Sequence, residues 1–214
     1  MYADQRPAKP NLYRSGPPPP GHGSEPGASC DARGVPQHPS GSGPADRERP
    51  AVRLRPAGRH DDDAVLALNL AEEVSLAPMD PDRLAYLRSR ADRFDVVEVD
   101  GRPAGFLVTM APGSDYDSPN YRWFAARYGF DFYYLDRIAL APSVRRRGVA
   151  GRVYDEVEAV AAAHGRMALE VNLVPPNPAS LAFHARRGYA EVGRIGDTDH
   201  LVVLLTKELA VDTS

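Results

Sequence analysis

Arg145, Arg146 and Arg147 stand immediately before Gly148, Val149, Ala150 and Gly151, so three guanidinium groups meet a run of small residues. If a helix begins there, its first N–H groups have no intrahelical partner, its dipole is positive, and little side-chain bulk keeps an anion from the backbone. A phosphate or pyrophosphate suits such a place; the alternative is an ordinary strand-to-helix turn with solvated arginines. Neither G-x-x-x-x-G-K-[ST] nor G-x-G-x-x-G is present. Asp136 and Glu170 are the other conspicuous residues, because each is a carboxylate inside a mostly apolar run. Carboxylates seldom lie in strand cores without partners, and burial would raise their pKa toward values useful for accepting a proton. The alternative is internal pairing, of Asp136 or Glu170 with Arg137 or Asn172.

The elements that must carry these residues can be read around them. Leu135 to Leu140 alternates as a strand, with Asp136, Ile138 and Leu140 on one face and Leu135, Arg137 and Ala139 on the other. Pro142 ends it, and Val149, Val153, Val157 and Val160 then recur at helical spacing until Gly165. Met167 to Leu173 alternates again, and a helix between two strands predicts a right-handed crossover to a parallel neighbour. Asn177 caps a further helix with Pro178 in its first turn and Gly188 closing it; GYAEVGRI and HLVVLLTKEL then form an antiparallel pair. Upstream, VRLRPA from Val52 is a first strand, Asp61 to Asp63 open a helix, and Asp80-Pro81 open another. FDVVEVDGRPAGFLVTM is a hairpin turning at Asp100-Gly101. The aromatic insert between this hairpin and the central strand is too long for a simple connection, which predicts a helix over 119–128. It is either a packed amphipathic insert or, through Asp115, Asp117, Tyr121 or Trp123, the wall of an acceptor pocket.

The chain has 214 residues, a formal net charge of −3 and 43% hydrophobic residues, enough for one sizeable core and some extra length. Residues 1–50 are crowded with proline and glycine and read as a disordered tail; 51–207 read as the folded domain and 208–214 as a frayed end. The near-neutral charge gives no case for nucleic acid or an anionic membrane, and no apolar run is long enough for a span. The single cysteine, Cys30, and the lack of metal-ligand spacing point to a reducing cytoplasm and no metal.

Arg145-Arg146-Arg147-Gly148-Val149-Ala150 resembles the R/Q-x-x-G-x-G/A motif of the GNAT superfamily of acyl-CoA-dependent N-acetyltransferases. Asn177 to Tyr189 resembles a second block of that family, N-x-x-[AS]-x-x-[LF]-[YH]-x-x-x-G-[FY]. The resemblance covers roughly residues 51–207. It implies an α/β (α+β) fold with a mixed sheet of about seven strands, mostly antiparallel with a parallel pair at strands four and five, flanked by about four helices. It also implies acetyl-CoA as co-substrate: the pantetheine arm pairs with Ile138, Ala139 and Leu140, and the pyrophosphate lies on Arg145 to Gly151. Asn177, Ser180 and Phe183 would lie along the cofactor. The tyrosine with which many relatives protonate the departing thiolate is replaced here by His184, whose reference pKa suits a general acid near neutrality. The alternative for His184 is packing against the cofactor. Asp136 or Glu170 would deprotonate the amine directly or through water, with Asp117, Tyr121, Trp123 and Asn172 toward the acceptor. The expected activity is direct acetyl transfer to a primary amine of a small molecule or peptide, against the alternative of a non-catalytic acyl-CoA-binding regulatory module. A homodimer is left open.

Overall fold

The computed structural model describes residues 49–73 and 76–210, so the expectation for the proline- and glycine-rich tail falls outside the described residues except at 49 and 50. In order, the elements are β1 (Val52–Pro56), α1 (Asp62–Ala71), α2 (Pro81–Arg90), β2 (Arg93–Val99), β3 (Arg102–Met110), α3 (Pro119–Tyr128) and β4 (Tyr133–Leu140). They continue through α4 (Val149–Ala161), β5 (Arg166–Val174), α5 (Pro178–Arg186), β6 (Ala190–Gly196) and β7 (Leu201–Glu208). The seven strands form one sheet in the order β1-β2-β3-β4-β5-β7-β6. Only β4 and β5 are parallel, as the crossover through α4 requires. β7 runs to Glu208, and the Leu209 N–H donates to the Gly165 carbonyl, so the sheet closes slightly beyond the expected domain end.

Two apolar layers clamp the sheet. One packs Val149, Val153, Tyr154 and Val157 of α4 on Leu107, Tyr133, Leu135, Met167 and Leu169. The other packs Val65 of α1, Leu84 and Leu87 of α2 and Phe124 of α3 on Phe106, Val108, Tyr134 and Ala168. Each buried valine or leucine contributes roughly 1.5–3 kcal/mol. Asp80 and Asn177 cap as expected, accepting from the N–H groups of Arg83 and Ser180, and Ser118 does the same for α3 from Tyr121, each followed by proline. At the β2–β3 turn Asp100 and Gly101 both have positive φ, 53° and 75°, the geometry that suits a tight antiparallel hairpin.

Two irregularities in the middle of the sheet shape the site. The ladder between β4 and β5 holds only Tyr133 opposite Met167 and Tyr134 opposite Ala168, after which the strands part. On its other edge β4 stays paired with β3, and β5 with β7. Opposite Val108 and Thr109 of β3 lie Arg137 and Leu135, so Asp136 is the extra residue of a β-bulge. The bulge corrects the strict alternation expected for this strand. Leu135 shares the α4 side with Ile138 and Leu140, while Ala139 packs in the opposite layer and Arg137 reaches Asn69 and Met79. One added residue shifts the faces of everything beyond it.

Candidate active site

Where β4 and β5 separate, the sheet opens into a cleft of about 900 Å³ reached by residues of α2, α3, β4, β5, α4 and α5. At its β4 side, Ile138 to Leu140 bond to β3 on one edge and face the gap left by β5 on the other. Beyond Leu140, Gly148 has φ +80° at the entrance to α4, with nothing within 4 Å of a Cβ placed there. A left-handed backbone is the condition only glycine meets cheaply. Arg145 is held by the Glu72 carboxylate and donates Nε to the Leu140 carbonyl at 3.0 Å; Arg147 reaches Asp100 at 3.3 Å. Arg146 is exposed, with a positive φ of 57°. An unpaired strand edge, an open glycine turn and a helix N-terminus with guanidinium groups beside it fit an extended, pyrophosphate-bearing ligand.

The two carboxylates lie in the same cleft but in different company. Asp136 accepts from Arg137 Nε at 2.7 Å and from the Tyr116 hydroxyl, so the internal pair weighed from the sequence is present. Arg137 is itself buried and donates Nη1 to Asn69 Oδ1 at 3.0 Å and to the Ala77 carbonyl at 3.3 Å. Glu170 accepts from the Tyr134 hydroxyl at 2.6 Å, a neutral donor. Burial, aided by the negative charge of Asp136, pushes the Glu170 carboxyl up to about 7 despite hydrogen bonds from Tyr134 and Asn120. A carboxylate poised near neutrality can take a proton from an ammonium and release it again.

His184 lies at the α5 side of the cleft and is only 4% exposed. Its Nδ1 is 2.8 Å from the Ser180 carbonyl oxygen, which can only accept, so Nδ1 carries a proton. Its Nε2 is 2.7 Å from the hydroxyl of Tyr154, itself 3% exposed. Burial lowers the imidazole below its usual range, so the neutral ring accepts at Nε2 from Tyr154. Arg187 stands nearby, its guanidinium forked onto Glu158 and 5.4 Å from the Tyr154 ring centre.

Eight of the residues singled out from the sequence, Asp117, Asp136, Ile138, Glu170, Asn172, Asn177, Ser180 and His184, border the cleft. Ala139, Leu140, Arg145 to Gly151 and Phe183 are not among those that line it. Phe183 packs edge-on against Tyr154 with ring centres 5.0 Å apart. Two of the aromatic insert do not border it. The buried Tyr121 donates its hydroxyl to the Ala111 carbonyl at 2.8 Å and accepts from the Ser114 N–H at 2.9 Å. Trp123 packs on Phe124, and a side chain at Gly193 would come within 2.8 Å of its ring. Both therefore serve the α3 packing that was the alternative reading of this insert. The sequence reading passed over Tyr154, Tyr116, Tyr134 and Arg83. A tyrosine inside the valine stripe of α4 was the available signal for the first. Arg83, forked onto Asp117 at 2.6 and 2.9 Å and touching Tyr116, gave none.

A family model, the acetyltransferase (GNAT) family, matches residues 63–189, more than half of the chain. The chain belongs to this family. It is accordingly an acyltransferase of the GNAT type. Among curated proteins it resembles an L-2,4-diaminobutyric acid acetyltransferase of Nocardia farcinica, 34% identical over 98 residues, 44% of this chain and 43% of that protein. The chain thus matches less than half the length of that relative. Among solved structures it resembles Ard1 from Thermoplasma volcanium, with a TM-score of 0.59 and 15% identity over 74% of this chain and 98% of that one. Another is yncA from Salmonella typhimurium with its cofactor acetyl-CoA, with a TM-score of 0.54 and 16% identity over 77% and 97%. A third is the ribosomal-protein-S18-alanine N-acetyltransferase from Escherichia coli, with a TM-score of 0.52 and 18% identity over 75% and 95%. At these identities the structures speak for the fold alone. Among the described residues no helix is long and apolar enough to cross a membrane.

Proposed function

We propose that this chain transfers the acetyl group of acetyl-CoA directly to the primary amine of a small molecule or peptide, with Glu170 as the base. The observation that carries the reading is the placement of Glu170, raised to about 7, in the cleft that continues from the unpaired edge of β4. When bound, acetyl-CoA supplies an activated acyl group as its thioester; everything else falls to the chain. Ile138 to Leu140 would hold the pantetheine arm by backbone pairing, and Arg145 to Gly151 the pyrophosphate, with Asn177, Ser180 and Phe183 along the same ligand. Glu170 removes a proton from the ammonium and holds it at neutral pH because of its burial, aided by the charge of Asp136, which Arg137 and Tyr116 fix in place. His184 is the source of the proton for the thiolate. Asp117 and Asn172, which line the same cleft, would contact the acceptor. No nucleophile is required, so transfer proceeds without an acyl-enzyme.

The name of the Nocardia relative supports a small-molecule amine, with a carboxylate as well as amino groups. Arg83, at the same cleft and already matched to a carboxylate in Asp117, is the residue to greet such a group. A cytoplasmic setting belongs to the same proposal, on the reducing compartment that a lone cysteine suits. The test is isothermal titration with acetyl-CoA, followed by mass spectrometry of an amine panel containing L-2,4-diaminobutyrate. A mass gain of one acetyl group that needs both protein and acetyl-CoA is expected, whereas tight binding with no acetylated amine would favour a binding module.

A further inference from the structure

We infer that Tyr154 is the catalytic residue that touches the sulfur, and that His184 acts through it: the proton passes from imidazole Nε2 to the phenol oxygen and from the phenol to the thiolate. The inference rests on the acetyl-transfer reading above and adds to it the atom that completes the transfer.

The argument begins with which atoms can carry a proton. The Ser180 carbonyl claims Nδ1–H of His184, with Ser180 Oγ a further 3.3 Å neighbour of the same nitrogen. Only Nε2 can therefore communicate with the cleft, and at 2.7 Å from Nε2 stands the Tyr154 oxygen. Phe183 and Tyr189 stand edge-on to the imidazole, with ring centres 5.3 and 5.1 Å away. When this imidazole carries a second proton, at Nε2, the phenol oxygen is the atom within reach to take it.

Tyr154 is well placed to pass it on. It projects from α4, the helix whose N-terminus follows the glycine turn, and borders the cleft together with Leu135, Leu169, Val171 and His184. Leu135 and Leu169 are the residues next to the last paired positions of β4 and β5, Tyr134 and Ala168, where a ligand laid along β4 must end. Burial raises the phenol above the usual tyrosine range, so it is a neutral hydroxyl that can accept one proton while giving another. The charged and titratable groups facing it are Arg187, Glu158, Tyr189 and His184; Glu158 is matched by Arg187 and by Lys207 at 2.6 Å.

The step balances. The carbon–sulfur bond breaks with its electron pair on sulfur; the phenolic O–H proton moves to sulfur; the Nε2 proton of the imidazolium moves to the phenol oxygen. What remains is a neutral thiol, a neutral tyrosine and a neutral histidine with Nδ1–H on Ser180 and Nε2 accepting from Tyr154, which is the arrangement observed. Solvent returns a proton to His184 as coenzyme A departs.

Coenzyme A itself is the probe, because its thiol titration needs no acceptor. The ultraviolet absorbance of the thiolate is followed against pH with coenzyme A bound to the wild type, Tyr154→Phe and His184→Phe. The hydroxyl stabilises the thiolate, so Tyr154→Phe is expected to raise the thiol pKa by about one unit or more with affinity retained. His184→Phe, which keeps the hydroxyl, should leave the titration within about 0.3 unit of the wild type. An unchanged titration in Tyr154→Phe overturns the inference. So does a rise in His184→Phe, which would place the imidazole itself on the sulfur, and that arm stands even if Tyr154→Phe does not fold. A wild type that fails to bind coenzyme A overturns the underlying reading instead, and is seen in the binding isotherm before any titration.

Discussion

Glu170 and Asp136 are carboxylates in adjacent strands of one cleft, and the proposed mechanism gives them different work. Asp136 is matched by an arginine and a tyrosine, whereas burial and the neighbouring charge make Glu170 favour its proton to about pH 7. As a base it works in the ionised form, which accumulates as pH rises, so kcat/KM should climb through about pH 7. Glu170→Gln is expected to lose roughly a hundredfold to ten-thousandfold in kcat, to lose that limb, and to keep its affinity for acetyl-CoA. The same shift bears on stability. The folded state binds this proton more tightly than the unfolded chain, whose value is near 4.5, so the favourable contribution is complete below that value and fades as pH rises through about 7. Denaturant unfolding at pH 5 and pH 8 should therefore show wild type losing stability relative to Glu170→Gln at the higher pH. The sequence marked both carboxylates through their apolar neighbours. It did not show that Glu170 would hold its proton, because the burial that raises it, and the hydroxyls of Tyr134 and Tyr116 that reach the two carboxylates from 36 and 20 positions away, are set by the fold.

At the scale of elements, β4 with its bulge and the turn into α4 make the site. Arg137 ties the bulge to α1 through Asn69, 68 positions away in sequence, and to the following loop at Ala77. Arg137→Met should cost about 3–5 kcal/mol, because it leaves the buried Asp136 carboxylate without its cation, and a thermal melt would show it. At the turn, Gly148→Val meets both a left-handed backbone and the place proposed for pyrophosphate; it should weaken acetyl-CoA binding more than Arg145→Ala, which removes a contact worth roughly 1–3 kcal/mol. Calorimetric affinities equal to wild type in a folded Gly148→Val chain would displace the pyrophosphate from this turn. Boundaries set by local chemistry were legible in the sequence: α3 begins at Pro119 after a serine cap and ends at Tyr128 before Gly129, as expected. The bulge was not legible, since an extra residue in β4 is defined only against its register with β3. The parallel pairing of β4 and β5 was legible and their parting was not, because Leu135–Leu140 and Met167–Leu173 alternate as well after the split as before it.

For the molecule as a whole, the seven-stranded sheet, its two apolar layers and the cleft are all built from the unit Asp46–Ser214. A chain beginning at Asp46 should therefore keep the acetyl-CoA affinity of the full-length protein within about twofold, a difference under roughly half a kcal/mol. A folded truncated chain that no longer binds would move part of the cofactor site into residues 1–45. The central claim, that this cleft passes an acetyl group from a thioester to an amine, is most directly met by one measurement on the intact chain: mass spectrometry of amine products formed from acetyl-CoA carrying an isotopic label in its acetyl group. The account predicts that at least one small primary amine, with L-2,4-diaminobutyrate the first to try, acquires the labelled acetyl group in step with thiol release, and that Glu170→Gln abolishes both. Labelled acetate as the only product, or an amide formed equally well by Glu170→Gln, would contradict it.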